Sequence, residues 1–160
     1  MSDQAESLRQ RVKAQRALRL GLWAGAGVDG ATLASLLTEA IGLMTADGGR
    51  VELVGREQGV EASIVATRSD PESLAAAYAA LGSEGRQGPV ALLLVAARGY
   101  PGGARAAAAV RATAWKFRQV RVVELGTLPG GGAEALAGEA RTALATAARR
   151  LCAIEWETEA

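Results

Sequence analysis

Hydrophobic and polar positions along the chain follow two rhythms, and the helical one comes first. Between residues 4 and 24, Leu8, Val12, Leu18 and Leu22 fall roughly on one side and Arg9, Lys13 and Arg16 on the other. That spacing predicts a basic amphipathic helix. Gly25, Gly27 and Gly30 mark a turn, and from about 31 to 46 Leu33, Leu36, Leu37, Ala40, Ile41 and Met44 recur at helical spacing. This second helix is expected to carry a core-facing stripe. Residues 51–55 and 61–68 read as strands joined by a short Gly-containing loop, the pattern of a hairpin.

The second half reads as strands alternating with helices. Ser69-Asp70-Pro71-Glu72 is a strong helix start, with a capping side chain, a proline in the first turn and a carboxylate near the positive helix end. This helix is expected to run to Gly82. Residues 89–97, PVALLLVAA, have no polar alternation and predict a strand buried on both faces. Pro101 opens a helix to about Phe117, 120–125 reads as a strand, and 132–149 reads as a helix. Residues 151–157 then alternate Cys152, Ile154 and Trp156 with Glu155 and Glu157, as an edge strand would. The expected fold is a single α/β domain with a mixed sheet of about five strands covered by helices: N-terminal helices, a β-hairpin, then β-α-β-α-β-α-β. Residues 1–24 form the basic N-terminal helix in this scheme, and 25–160 the α/β core.

Composition narrows the chemistry. Of 160 residues 49% are hydrophobic, many of them alanine, and only six are aromatic, so helices must approach closely on small side chains. Histidine is absent and Cys152 is the single cysteine. These two facts exclude Ser-His and Cys-His nucleophilic catalysis, imidazole acid–base chemistry and ordinary zinc sites. No metal or cofactor is expected. Residues 1–10 lack the apolar core of a signal peptide and no apolar run is long enough to span a bilayer, so a cytoplasmic protein without a membrane partner is expected.

The remaining catalytic resources are sparse. Glu52, Glu57, Glu61, Asp70 and Glu72 surround the expected hairpin and helix start, and paired carboxylates can hold a divalent cation or act as acid and base. Neither Lys13 nor Lys116 lies near them, and they read as solvated charge and helix caps. Tyr78 and Tyr100 have no lysine partner at catalytic spacing. Cys152 reads as a buried inert thiol.

Two glycine-rich turns are candidates for ligand binding. The first, residues 98–103, ends a buried strand and opens a helix. Arg98, Gly102, Gly103 and Arg105 could there meet an anion at a helix N-terminus. It matches neither a dinucleotide fingerprint nor a P-loop, and a tight turn explains the glycines equally well. The second, residues 126–132, carries three consecutive glycines. At one sheet edge the two could frame a pocket.

Charge is unevenly distributed. Residues 85–123 carry Arg86, Arg98, Arg105, Arg111, Lys116, Arg118 and Arg121 and no acid, although the whole chain is only +1. On a helical wheel Ala106, Val110, Ala114 and Phe117 form an inward face. Ala104, Ala108, Ala112 and Trp115 form a second stripe, flanked by Arg111, Arg105 and Lys116. Alanines admit a second helix closely, and an exposed tryptophan is a favoured interface anchor. These features point to a non-catalytic domain acting as a homo-oligomer or with a protein partner, with Arg111 and Lys116 at the rim. The N-terminal helix is a second possible contact, or a cover for this face. One competing expectation is nucleic-acid binding through the basic stretch, including Arg98, Arg105, Arg118 and Arg121, with Trp115 stacking on a base. Another is a small-molecule or anion binder, or enzyme, built on the two glycine-rich turns.

Overall fold

Leu18, Leu20 and Leu22 alternate with Arg19, Gly21 and Trp23, and in the computed structural model this segment is a strand, β1 (Leu18–Ala24). The structure describes residues 17–44, 51–55, 58–129 and 140–154. The helix expected over 4–24 is therefore corrected for 18–24, and its remainder lies outside the described residues. The spacing of Leu18 and Leu22 suits a helix as well as a strand. Leu20, fully buried between them, decides for the strand.

The elements after β1 are α1 (Gly30–Met44), β2 (Val51–Leu53), β3 (Ala62–Arg68), α2 (Pro71–Glu84), a 3-10 turn (Gly85–Gln87), β4 (Val90–Val95), α3 (Ala104–Arg118), β5 (Val122–Leu128) and α4 (Ala140–Ala153). The sheet has five strands in the order β2-β1-β3-β4-β5, and every pair is parallel rather than mixed. The chain runs outward from β1 to β2, then returns past β1 and proceeds through β3, β4 and β5. Right-handed crossovers in opposite directions place helices on opposite faces. On one face α1 and α4 cover Leu20, Ile64, Ala66, Leu93, Leu125 and Leu128. On the other, α2 and α3 cover Val65, Val90, Leu92, Leu94 and Val122. β4 is an interior strand between β3 and β5, and Val90 to Leu94 are all at most 1% exposed, as an unbroken apolar run requires.

No hairpin joins β2 to β3, because β1 lies between them. Parallel strands ordinarily need a crossover of a dozen or more residues. Here stagger removes that need. Leu53 at the end of β2 and Ala62 at the start of β3 are both in register with Leu20 of β1. The connection only has to cross two strand spacings, roughly 10 Å. It passes over Arg19 and Gly21: Arg19 donates to the Gln58 carbonyl at 3.0 Å, and Glu61 N–H donates to the Arg19 carbonyl at 2.8 Å. A Cβ on Gly21 would lie 2.8 Å from Val60 Cγ2, so glycine there lets the connection lie flat on the sheet.

The C-terminal expectation also changes. Leu151 to Ala153 finish α4 instead of opening a strand, because Leu144, Ala147, Ala148 and Leu151 continue a helical stripe against the sheet. The notional edge residues 155–157 lie outside the described part. β5 carries a bulge: Leu92 registers with Glu124 but Leu93 with Gly126. The extra residue shifts the alternation, so Leu125 and Leu128, three apart, both face the α1/α4 side. Gly126, expected to open a loop, sits in this strand with φ 117°.

Candidate functional site

Ligands of doubly wound sheets gather outside the carboxyl ends of the strands, where the strand order reverses. Here that point lies between β1 and β3. The turn after β1 is closed by Val28 N–H donating to the Gly25 carbonyl at 3.1 Å, and Gly25 N–H donates across to Ala66 on β3 at 2.9 Å. Asp29 precedes α1 and accepts the Thr32 N–H at 3.1 Å and the Thr32 hydroxyl at 2.7 Å. After β3, Asp70 caps α2 in the same way, accepting Ser73 N–H at 3.1 Å and the Ser73 hydroxyl at 2.8 Å. Hydrogen bonds from the Thr32 side chain and backbone hold Asp29 below its ordinary pKa of 3.8, and those from Ser73 do the same for Asp70. Arg68 packs where a Cβ of Gly27 would be, 2.8 Å from its Cδ, and pairs with Asp70 at 3.7 Å. Both helix starts at the switch point thus hold a carboxylate where a phosphate would sit.

The turn after β4 differs. Ala97 and Tyr100 exchange both backbone hydrogen bonds, at 3.0 and 2.8 Å, around Arg98 and Gly99, whose φ of 81° is the left-handed value glycine supplies. Buried Ser69 pins this turn to β3: its hydroxyl donates to the Tyr100 carbonyl and accepts the Ala97 N–H at 3.2 Å. Gly102 and Gly103 have φ of 74° and 90°. Thr127, turned toward α3 by the β5 bulge, accepts the Gly103 N–H at 2.8 Å. The first turn of α3 has neither an acid nor a side-chain cap. The first glycine-rich turn is thereby a hydrogen-bonded corner with Arg98 and Arg105 beside it. Residues 130–132 of the second turn lie outside the described part.

The basic stretch does not form one surface. Arg98, Gly102, Gly103 and Arg105 lie at the carboxyl edge of the sheet, and Arg118 and Arg121 at the amino edge, with α3, roughly 22 Å long, between them. Arg111, midway, pairs with Glu124 at 3.6 Å. Glu124 Oε1 is buried without a hydrogen-bond partner among the described residues, and Arg150 from the other face reaches the Glu124 carbonyl at 3.4 Å. Two arginines thus flank the outer edge of β5, which discourages further strand pairing there.

The outward face of α3 carries small side chains and one tryptophan. Ala104, Ala112 and Trp115 are exposed, Trp115 by 62%, and Ala108 is half-exposed. The inward face is corrected to Ala107, Val110 and Ala114. Phe117, expected inside, is 70% exposed. The left-handed residue Gln119 (φ 54°) reverses the chain, Val120 N–H donates to the Ala114 carbonyl at 3.3 Å, and the Val120 side chain is buried in the core with Val90 and Val122. Lys116 Nζ lies 5.3 Å from the Phe117 ring centre.

The acidic residues are dispersed. Glu61 pairs with Arg19 at 3.4 Å and Glu52 is in register with Arg19, both at the amino side, whereas Asp70 and Glu72 are at the opposite edge. Glu57 lies outside the described residues. Among the described residues no group of three potential metal ligands occurs, and no helix is long and apolar enough to cross a membrane. An open groove of about 630 Å³ runs between α1 and the end of β2, lined by Leu22, Ala34, Thr38, Glu39, Leu53 and Val54. The Thr38 hydroxyl there is spent on its own helix, donating to Ala34 at 2.7 Å.

No family model and no curated protein matches the chain. Among solved structures, a two-electron reduced flavodoxin from Megasphaera elsdenii matches over 82% of this chain and 98% of its own, at 15% identity and a TM-score of 0.44. The strand order β2-β1-β3-β4-β5 is that of the flavodoxin-like fold.

Proposed function

We propose that this chain is a non-catalytic interaction domain that self-associates through the outward face of α3. The observation that carries this reading is Trp115, 62% exposed beside the small side chains Ala104, Ala108 and Ala112, on a helix whose other side is fully used by the sheet. A flat alanine strip lets a second helix approach to near 8 Å, and the indole supplies a large, rigid anchor at its end. A two-fold contact would set each Trp115 against the alanines of the second copy. Arg105 and Lys116 would lie at the rim, whereas Arg111 is already engaged with Glu124. The arginine-flanked edge of β5 favours a helix contact over sheet extension.

Absence of histidine removes the commonest general base. Carboxylates at the two switch-point helix starts argue against a phosphate ligand there. The test is light-scattering mass on a sizing column. The wild type is expected at a multiple of the monomer mass, and Ala108→Glu and Trp115→Ala at the monomer mass with an unchanged circular-dichroism spectrum. A monomeric wild type at tens of micromolar, or variants of unchanged mass, would refute it.

A further inference from the structure

Three separate segments bring four cations to the amino end of the sheet, the end at which Phe117 is exposed. Arg86 is in the 3-10 turn, Lys116 and Arg118 are in the last turn of α3, and Arg121 precedes β5; all four are exposed. The backbone holds these segments together. A Cβ on Gly82 would lie 3.3 Å from Arg118 Cδ, one on Gly85 would meet Val120, and the Arg121 carbonyl accepts Val90 N–H at 3.0 Å. None of the four forms an ion pair among the described residues, whereas Arg19, Arg68 and Arg111 do. Glu84, the nearest acid in sequence to Arg86, accepts the Ser63 hydroxyl at 2.6 Å. Phe117, 70% exposed, lies between Lys116 and Arg118 in the last turn of α3, with Lys116 over its ring.

The helix dipole accounts for a lysine and an arginine at the end of α3, but not for Arg121 beyond it, nor for an exposed phenylalanine. Unpaired cations around an exposed aromatic face are the elements with which proteins hold single strands: cations take phosphates and the ring takes a base. We infer that this end of the molecule binds single-stranded nucleic acid, with Arg86, Lys116 and Arg118 contacting phosphates on the α2/α3 side, Arg121 contacting one where the strand passes the end of the sheet, and Phe117 stacked on one base. A duplex hides its base faces and would leave the ring unused. Arg86, Phe117, Arg118 and Arg121 are separate from the alanine strip, so monomeric Ala108→Glu retains this site.

The experiment is fluorescence anisotropy of a labelled oligothymidylate of about twenty nucleotides, with its duplex and phosphatidylserine-containing vesicles alongside. Four neutralised phosphates give a slope of log K against log salt of about −3, or roughly a 50-fold loss of affinity between about 50 and 200 mM salt. Phe117→Ala is expected to weaken binding roughly five- to hundred-fold with the slope unchanged. Arg118→Ala with Arg121→Ala is expected to flatten the slope by about 1.4. Binding by Ala108→Glu equal to wild type supports the inference independently of self-association. Lack of binding at low salt, indifference to Phe117→Ala, equal affinity for the duplex, or binding only to vesicles would each overturn it.

Discussion

Replacing Thr127 with valine removes one hydroxyl while keeping the branched shape, so it isolates the bond that ties β5 to the start of α3. In the parent the Thr127 Oγ1 accepts the Gly103 N–H at 2.8 Å, and a Cβ on Gly102 would lie 2.8 Å from the Thr127 methyl. After the change the Gly103 amide loses its acceptor, and a methyl cannot remain 2.8 Å from that nitrogen, so the turn must shift. A buried donor left unpaired costs about 1–3 kcal/mol. Gly103 and Thr127 are half-buried, so water recovers part of that loss, and about 1–2 kcal/mol is expected. In a domain of this length the midpoint should fall by roughly 2–8 °C. Urea unfolding should show a lower midpoint with an unchanged slope. Thr127→Ser, which keeps the acceptor, should lose less, and amide exchange at Gly103 should accelerate only in the valine variant. A valine variant within about 0.3 kcal/mol of the parent, or a serine variant equally weakened, would refute the role given to this hydroxyl.

Gln119 holds φ at 54° without being glycine, so Gln119→Gly should stabilise by about 0.5–1 kcal/mol in urea melts, part of the strain relief being offset by the freer unfolded chain. No gain would mean that the strain relieved does not exceed the added freedom of the unfolded chain. The pKa values of Asp29 and Asp70 are lowered by their cap hydrogen bonds, so their contribution to stability is complete above the ordinary value of 3.8 and is lost as pH falls through the folded values below it. Asp29→Asn with Asp70→Asn should therefore flatten the fall in stability between about pH 5 and pH 2; an identical slope would exclude the two caps from the acid response.

Elements with a single physical reading were legible beforehand. The run 89–97 could only be a buried strand and became β4, and Asp70-Pro71 starts α2 as its chemistry requires. The stripe of Leu33, Leu37 and Ile41 is buried in α1 as helical spacing predicts. Misreadings arose where two periods fit the same residues. Leu18 and Leu22 satisfy a helix as well as a strand, and Leu151 to Ala153 satisfy a strand as well as the end of α4. Strand order was illegible for another reason: a short glycine-containing link usually means a hairpin, and only the stagger of β2 against β3 lets it cross a parallel sheet. For the candidate surfaces, the α3 stripe followed from residue size and spacing. The exposure of Phe117 goes against its position on the helical wheel, which periodicity alone groups with Val110 and Ala114.

The stagger that replaces a crossover helix also bears on how the molecule opens. β2 is joined to β1 over three residues, whereas β3 and β4 are joined over six, and the link across Arg19 and Gly21 ties the two regions without a helix of its own. The β2 edge is therefore the natural place for sub-global opening, with β3, β4 and β5 forming the most protected unit. Such a gradient would let one side of the sheet exchange with solvent or accept insertions while the half bearing α2 and α3, and with it both proposed contact surfaces, stays closed.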